Sequence, residues 1–585
     1  MRYAIISIIL ALSFIVSGEV QIKKIAAPTQ KAYSYDVWTS TPPADCPFEQ
    51  SSEFVGVGFT GAYSVYEKAD TWYPSWATDG NMYSNFADGI VLGLATWSRV
   101  GAGRGNETES STGFATIIGN DPLNLKITDA GRSFAPAGSY GGRYPCANLF
   151  YNGVWYYGTY LLTGINGNNT GSDTIDGVLY NWGTLGAFVG FRTSTDYGKT
   201  WVETPRTPDK PLFGEPNRPL GPVKIGVPHF VDFGKNMQYS PDGKAYLIAH
   251  GATDNDSKPR IGNLSWITAD ELYLCRVTAS IETINDKSAY EFFAGNDEKG
   301  NAVWTSDFNE IKPLLSWNNH CGNCSMTYNP GLKKYIICVT DGGTTASKYN
   351  NYLLESDKIT GPFKLVSYLE DFGPQGYFLN FPSKFISADG QNAWLAYSAN
   401  FTNVGKRTNY KSTPAGSGYG LCLRELKFLT PSDPISTSEL DKPSNIARKA
   451  EVFSSTAAAG YDPDGAIDGI VDGYTDGDKS KEWAAADKNA AMLKLQWNQP
   501  KTINRIWLFD RVNKFDQIIS ATILFSDDST LKVGELPNHS WLDYGGLELT
   551  FEPKTIKWLK IIITEVSQTT VNPGLAEIAV FTAEK

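Results

Sequence analysis

The chain has 585 residues and a net charge of −11. It carries no long basic tract, which argues against nucleic acid as a partner. Seven cysteines are too few for a disulfide scaffold at this length, and beyond residue 16 no apolar run reaches the roughly 18 residues of a membrane span.

In chain order, Met1-Arg2, the apolar run AIISIILALSFIV (4–16) and the small pair Ser17-Gly18 read as an export signal over 1–18. The mature protein is expected to be secreted, with no integral membrane segment, and to be a monomer. Asn-x-Ser/Thr sequons at Asn106, Asn168, Asn255, Asn263, Asn323, Asn400 and Asn538 are glycan acceptors in a eukaryotic host. Residues 19–59 form an N-terminal extension.

From 60 to 427 helical periodicity is nearly absent. Short aromatic and β-branched runs alternate with Gly, Asn, Asp and Pro turns, which is an all-β pattern. A strand–turn–strand unit rich in Tyr and Trp recurs at 86–97, 144–162, 228–251, 324–340 and 381–401. Each supplies the two inner strands of a four-stranded blade, so a five-bladed β-propeller is expected. Outer strands are read in GAFVGFRTSTDYGKTWVET, ELYLCRV and NNYLLESDKITGPFKLV. Cys275 and Cys338 fall within apolar strands and are expected to be inert thiols. HCGNC (320–324) lacks further ligands for zinc, so a local disulfide is the expectation there.

A Pro/Ser/Asp-rich linker spans 428–445, and a second unit, read as a β-sandwich jelly roll, spans 446–585.

Three resemblances attach to these residues. STDYGKTW (194–201) matches S-x-D-x-G-x-T-W, the Asp-box of sialidases and related propellers. In those families the motif folds a hairpin far from substrate, so Asp196 is read as structural. SAYEFFAGNDEKGNAVW (288–304) with SMTYNPGLKKYIICVTDG resembles exported propellers of a domain-of-unknown-function type with relatives acting on arabinan. YLLESDKITGPFKLV (352–366) resembles the arabinanase/xylosidase blade hairpin. The unit after 446 resembles the discoidin-type, galactose-binding-like domain, through Ala466-Ile467-Asp468-Gly469, Glu482-Trp483 and the closing GLAEI (574–578). That resemblance implies a structural calcium, and Asp468, Asp472 and Glu577 have the hard oxygen donors for it. No cofactor is expected in the propeller.

In a propeller the starts of inner strands converge on the axis. The candidates there are Asp79, Arg143, Tyr144, His229, Asn319, His320 and Asn380. Glycosidic hydrolysis needs one carboxylic acid and one carboxylate. Asp79, among Trp72, Tyr73 and Trp76, is the first candidate for base or nucleophile, and Asp88 the second. Trp76 and Tyr144 would stack on sugar, while Arg143, His229, His320 and Asn380 would bind hydroxyls or acidic groups. In the arabinanase-type propellers a Glu precedes the strand that begins here at IGVPHF (225–230), but this chain has Gly226 in that slot. The acid is then sought in Glu215, Asp232 or Glu271. No GxSxG and no phosphate-binding loop is present.

The sequence therefore points to a secreted carbohydrate-active protein with a polysaccharide or glycan partner. Glycoside hydrolysis leads, a non-catalytic lectin is the rival, and polysaccharide lyase chemistry is a third reading.

Overall fold

In the computed structural model, residues 20–583 are described apart from 27–35, 39, 99–108, 137–142, 164–172, 176–177, 181–183, 217–221, 255–264, 343–348, 374, 400–413, 415, 434–438, 472–478, 514 and 538–544. The export signal expected over 1–18 lies outside the described residues. No helix among them is long and apolar enough to cross a membrane.

The chain divides into two compact units, residues 33–435 and residues 1–32 with 436–585. The first is a five-bladed propeller. Its first blade orders Lys68–Asp70 and Ser75–Trp76, Met82–Val91, Glu109–Ile118 and Lys126–Pro136. The second runs Arg143–Tyr151, Val154–Thr163 and Thr184–Ser194, with a single bridge from Thr193 to Val202 at its outer edge. The third runs His229–Phe230, Ala245–Gly251, Glu271–Val277 and Tyr290–Asn296, and the fourth Cys324–Asn329, Lys334–Asp341, Asn350–Ser356 and Lys364–Leu369. The fifth runs Tyr377–Asn380, Asn392–Ser398 and Leu421–Leu429, and its next strand is Gly56–Tyr66 from the start of the unit. Pairing Phe59 with Leu426 and Val57 with Phe428 closes the ring, so no blade edge is left open there.

The strands are buried on both faces because each blade packs between two others. Cys324–Asn329, Lys334–Asp341 and Tyr377–Asn380 are almost wholly buried, polar residues such as Ser325, Thr327 and Asp341 included. The inner hairpins turn on glycines at positive φ, Gly153 (80°), Gly243 (75°) and Gly390 (75°), where a side chain would be strained. STDYGKTW also folds as a tight turn. Asp196 accepts from Thr200 N (2.9 Å) and Thr200 Oγ1 (2.6 Å), Gly198 takes φ 85°, and Trp201 packs on Phe114 and Trp155.

All seven cysteines are free thiols, so the disulfide expected within HCGNC is not formed. Cys321 Sγ faces Trp317 O and Tyr352 OH, whereas Cys324 is already committed to the strand paired with Val339. Asn323 is 2% exposed and hydrogen-bonded in the core, which excludes it as a glycan acceptor. The other six sequons lie outside the described residues.

The second unit has two β-layers that share two long strands, Met492–Asp510 and Gly545–Val566. Register shifts between Gln496 and Lys501 and between Ile503 and Arg505 carry the first of these from one layer to the other. One layer orders Glu451–Ser454, the start of Met492–Asp510, the end of Gly545–Val566, Ile518–Phe525 and Thr530–Val533. The other orders Trp483–Ala484, Gly574–Thr582, the end of Met492–Asp510, the start of Gly545–Val566 and Gln21–Ala26. Leu493, Leu495, Leu559, Ile561, Ile523 and Phe525 fill the space between layers. The segment read as an N-terminal extension is thus divided: Gln21–Ala26 pairs in this unit, and Asp36–Val37 pairs with Gly56–Tyr66 in the propeller.

Candidate functional site

Because strands alternate in direction, all inner strands start on one face of the propeller and all inner hairpins turn on the other. Asparagines tie neighbouring inner strands together near the axis. Asn148 Nδ2 donates to Tyr73 O (2.8 Å) and Tyr83 O (2.7 Å), and Asn380 Nδ2 donates to Trp72 O (2.9 Å). Between them the Tyr73 ring stacks on His229 at 3.7 Å, and the Tyr73 hydroxyl donates to Asn323 Oδ1. Asn323 Nδ2 lies 3.3 Å from His229 Nε2. Burial, with His250 nearby, holds His229 well below the usual histidine range, so the imidazole is neutral. This plug leaves a cavity of about 30 Å³ on the hairpin side, lined by Ser75, Asn148, Asp232 and Ser325 among others. That is room for a water or two and not for a sugar ring.

On the strand-start face two carboxyl groups come together in the first blade. Asp70 pairs across the strand with Ala87, the neighbour of Asp88. The register shifts between Lys68 and Asp70, and Asp88 adopts φ 50°. A bulge of this kind re-aims side chains, and here the Asp88 charge acts on Asp70. Asp70 is 8% exposed and accepts from Tyr377 OH (2.9 Å) and Thr71 Oγ1 (2.9 Å). Its pKa is pushed up to about 8, by burial first and by Asp88 second. Asp88 Oδ1 accepts from Ser98 N (2.6 Å), and its carbonyl accepts from Tyr419 OH (2.6 Å).

Aromatic rings surround the pair. Tyr160, next to Tyr144 at 5.6 Å, feels the charges of both Asp70 and Asp88. Tyr377 stands against Trp266 (5.3 Å) and Phe378 (4.7 Å). Arg143 N donates to the carbonyl of Ser98 (2.9 Å), the residue whose amide holds Asp88, and Arg143 Nε donates to Thr159 Oγ1 (2.8 Å). At the fourth blade's start Asp341 Oδ2 lies 2.7 Å from His320 Nδ1 and accepts from Tyr368 OH (2.9 Å), while Trp317 stacks on His320 at 4.2 Å. His320 Nε2 also lies 3.7 Å from Asp45 Oδ2, and these contacts with Asp341 and Asp45 raise the His320 pKa against the opposing pull of burial.

The residues singled out in the sequence divide between these places. Tyr144, Arg143, Asp88 and His320 are on the strand-start face, and His229 is in the axial plug. Asp79 is not at a strand start. It sits exposed in the first blade's inner hairpin turn, accepting from Asn81 N (2.9 Å), Asn81 Nδ2 (3.0 Å) and Tyr83 OH (2.6 Å). The inner strand precedes it, at 68–76, so the Asp79-Gly80 pair is the hairpin turn and faces the other way. Trp76, at the end of that strand, lies by Lys235 on the hairpin side. Asn380 is spent on the Trp72 and Phe378 carbonyls. Asp232 is axial but saturated by Gly234 N, Ser383 N and Ser383 Oγ. Glu215, raised to about 7 by burial, grips Lys224 N (2.6 Å) and Ile225 N (3.0 Å) away from the axis. Glu271 accepts from Thr253 Oγ1 (2.8 Å) and from Tyr273 OH. At Gly226 a Cβ would meet Leu185 Cδ2 at 2.1 Å, so any side chain there would require the buried Leu185 to shift.

Sequence reading missed Asp70. The available signal was its place in KADTW, two residues before the aromatic pair Trp72-Tyr73 and upstream of the first Asp-Gly turn.

In the second unit Glu577 Oε2 accepts from Gly469 N (3.0 Å) and Asp468 Oδ1 from Ile470 N (2.7 Å), so two carboxylates meet one loop. Asp472 lies outside the described residues, and among those described no three His, Cys, Asp or Glu side chains form a metal-binding group.

A domain of unknown function (DUF7402) matches residues 445–581. No curated protein matches the chain. Similar solved structures include SpGH29, with 20% identity, 24% of this chain covered and TM-score 0.19; this chain spans 28% of it. Another is the lectin domain of lectinolysin complexed with Lewis B antigen, with 19% identity, 26% of this chain and 100% of that one covered, and TM-score 0.19. A third is CpGH89CBM32-5 from Clostridium perfringens in complex with GalNAc-β-1,3-galactose, with 15% identity, 24% and 100% covered, and TM-score 0.19.

Proposed function

We propose that the protein is a secreted glycoside hydrolase, exported by the signal at 1–18, with its reaction at the strand-start mouth of the propeller. The observation that carries this reading is the Asp70–Asp88 pair: one buried carboxyl that keeps its proton to about pH 8 beside a second carboxylate, among aromatic rings. Environments that separate two carboxyl pKa values are what acid–base glycosidic cleavage requires. Asp70 would give its proton to the leaving oxygen while Tyr377 holds its other oxygen. Asp88, fixed by Ser98, would activate water or attack the anomeric carbon. Tyr144, Tyr160 and Trp266, which are buried, would form the apolar wall behind the carboxyl pair, and Arg143 would hold the Ser98 backbone that orients Asp88.

The test is a polysaccharide panel scored for new reducing ends. Asp70→Asn and Asp88→Asn should each lower cleavage by about 10²–10⁴-fold with binding retained, and Asp79→Asn should leave it unchanged. Binding without cleavage by the wild type would make this a lectin, and unsaturated products would make it a lyase. The calcium implied for the second unit is proposed at the loop 468–472, held by Asp468, Asp472 and Glu577.

A further inference from the structure

The outer face of one layer of the second unit mixes apolar and charged side chains. An antiparallel layer with one face on the core shows polar side chains on the other. Here the outward positions hold Phe453, Met492, Trp558, Ile562 and Leu524, interleaved with Lys494, Gln496, Lys560 and Thr522; Phe453 is 47% exposed and the other four are half-buried. Phe453 and Trp558 therefore share a solvent-facing sheet with cationic side chains.

Charge on the same face identifies the ligand. Lys494 and Lys560 are direct cross-strand partners. Like charges so placed, with Cβ atoms roughly 5 Å apart, oppose folding. Both ammonium groups are nevertheless gathered over one ring: Lys494 Nζ lies 5.5 Å and Lys560 Nζ 5.1 Å from the Trp558 centroid, and Lys494 Nζ is also 5.3 Å from Phe453. Burial and Lys560 together lower the Lys494 pKa, against a smaller opposite effect from Glu451 at the sheet edge. Lys532, paired with Thr522, adds a third cation to the face. In a protein of net charge −11, a cationic pair held over aromatic rings complements an anionic partner.

We propose that the outer face formed by Phe453, Lys494, Trp558 and Lys560 binds an acidic polysaccharide, with an anionic group seated between the two ammonium groups and the sugar ring against Phe453. The site is separate from the carboxyl pair of the propeller and does not depend on hydrolysis there.

Native electrophoresis of the full chain tests it, in gels containing polygalacturonate (carboxylate only), carrageenan (sulfate only) or neutral arabinan. The wild type should be retarded in at least one anionic gel, which tells carboxylate from sulfate, and retardation should vanish at high salt. Lys494→Gln/Lys560→Gln should lose retardation at an unchanged melting temperature, each single variant should lose part of it, and Phe453→Ala should weaken it. Asp70→Asn should be retarded as the wild type is. Equal retardation of the wild type and the single and double lysine variants in the anionic gels, or no retardation in either anionic gel, overturns the proposal; retardation in neutral arabinan that the lysine variants keep reports the propeller's own site.

Discussion

Asp70 holds its proton because the folded chain gives its charge nowhere to go. Burial first and the Asp88 charge second raise its pKa from the ordinary 3.8 to about 8. Two measurable consequences have definite signs. In catalysis the protonated form is the acid, so cleavage should fall as pH rises through about 8. Asp88→Asn removes the second cause of the shift, so whatever activity remains should fall away at lower pH. In stability the folded state keeps a proton that the unfolded state releases above about 4, so folding loses free energy as pH rises from about 4 to about 8. Thermal melting at pH 5 and pH 8 reads this: Asp70→Asn should lose less melting temperature over that interval than the wild type. A parallel decline in both proteins would mean that Asp70 is ionised in the fold. Of this pair only Asp88 was legible in the sequence, where Asp88-Gly89 stands out. Asp70 sits in an inner strand broken at Thr71, with φ 62°, so no alternation marks it.

At the scale of elements, four of the five inner hairpins were legible because each is two apolar runs about a glycine turn: Asn152-Gly153, Asp242-Gly243, Pro330-Gly331 and Asp389-Gly390. The first was displaced, because Asp88-Gly89 looks like such a turn but lies within Met82–Val91. The closing strand Gly56–Tyr66 was not legible either, since its partner Leu421–Leu429 lies far along the chain and no local pattern announces the pairing. That strand should carry much of the propeller's stability. Phe59 is 1% exposed, with Trp38 and Phe372 against its ring. Phe59→Ala should cost about 3–5 kcal/mol, seen as a lower propeller melting temperature with unchanged cleavage per folded molecule. The calcium loop is tested in the same way. Calcium should raise the melting temperature of the second unit by mass action, EDTA should reverse the rise, and Glu577→Gln should abolish it. A wild type indifferent to calcium would remove the ion from the account.

For the whole molecule, the chain's order and the units' composition differ. Gln21–Ala26 precedes the propeller in sequence yet forms an edge strand of the second unit, pairing Gln21 with Thr550 through Ala26 with Gly545. Ile25 packs against the smaller core made by Trp507, Phe509 and Phe581. Composition could not show this, because QIKKIA reads equally well as a short tail strand with any partner. Deleting residues 20–26 should therefore lower the melting of the second unit and leave the propeller as it was. Calorimetry can assign the two transitions, since Phe59→Ala moves only the propeller's. The deletion also exposes the backbone donors and acceptors of 545–550, and an open edge of that kind invites pairing between molecules. The truncated protein should accordingly associate at concentrations where the full chain does not. A propeller transition that fell instead, with the second unit's unmoved, would place Gln21–Ala26 in the other sheet system.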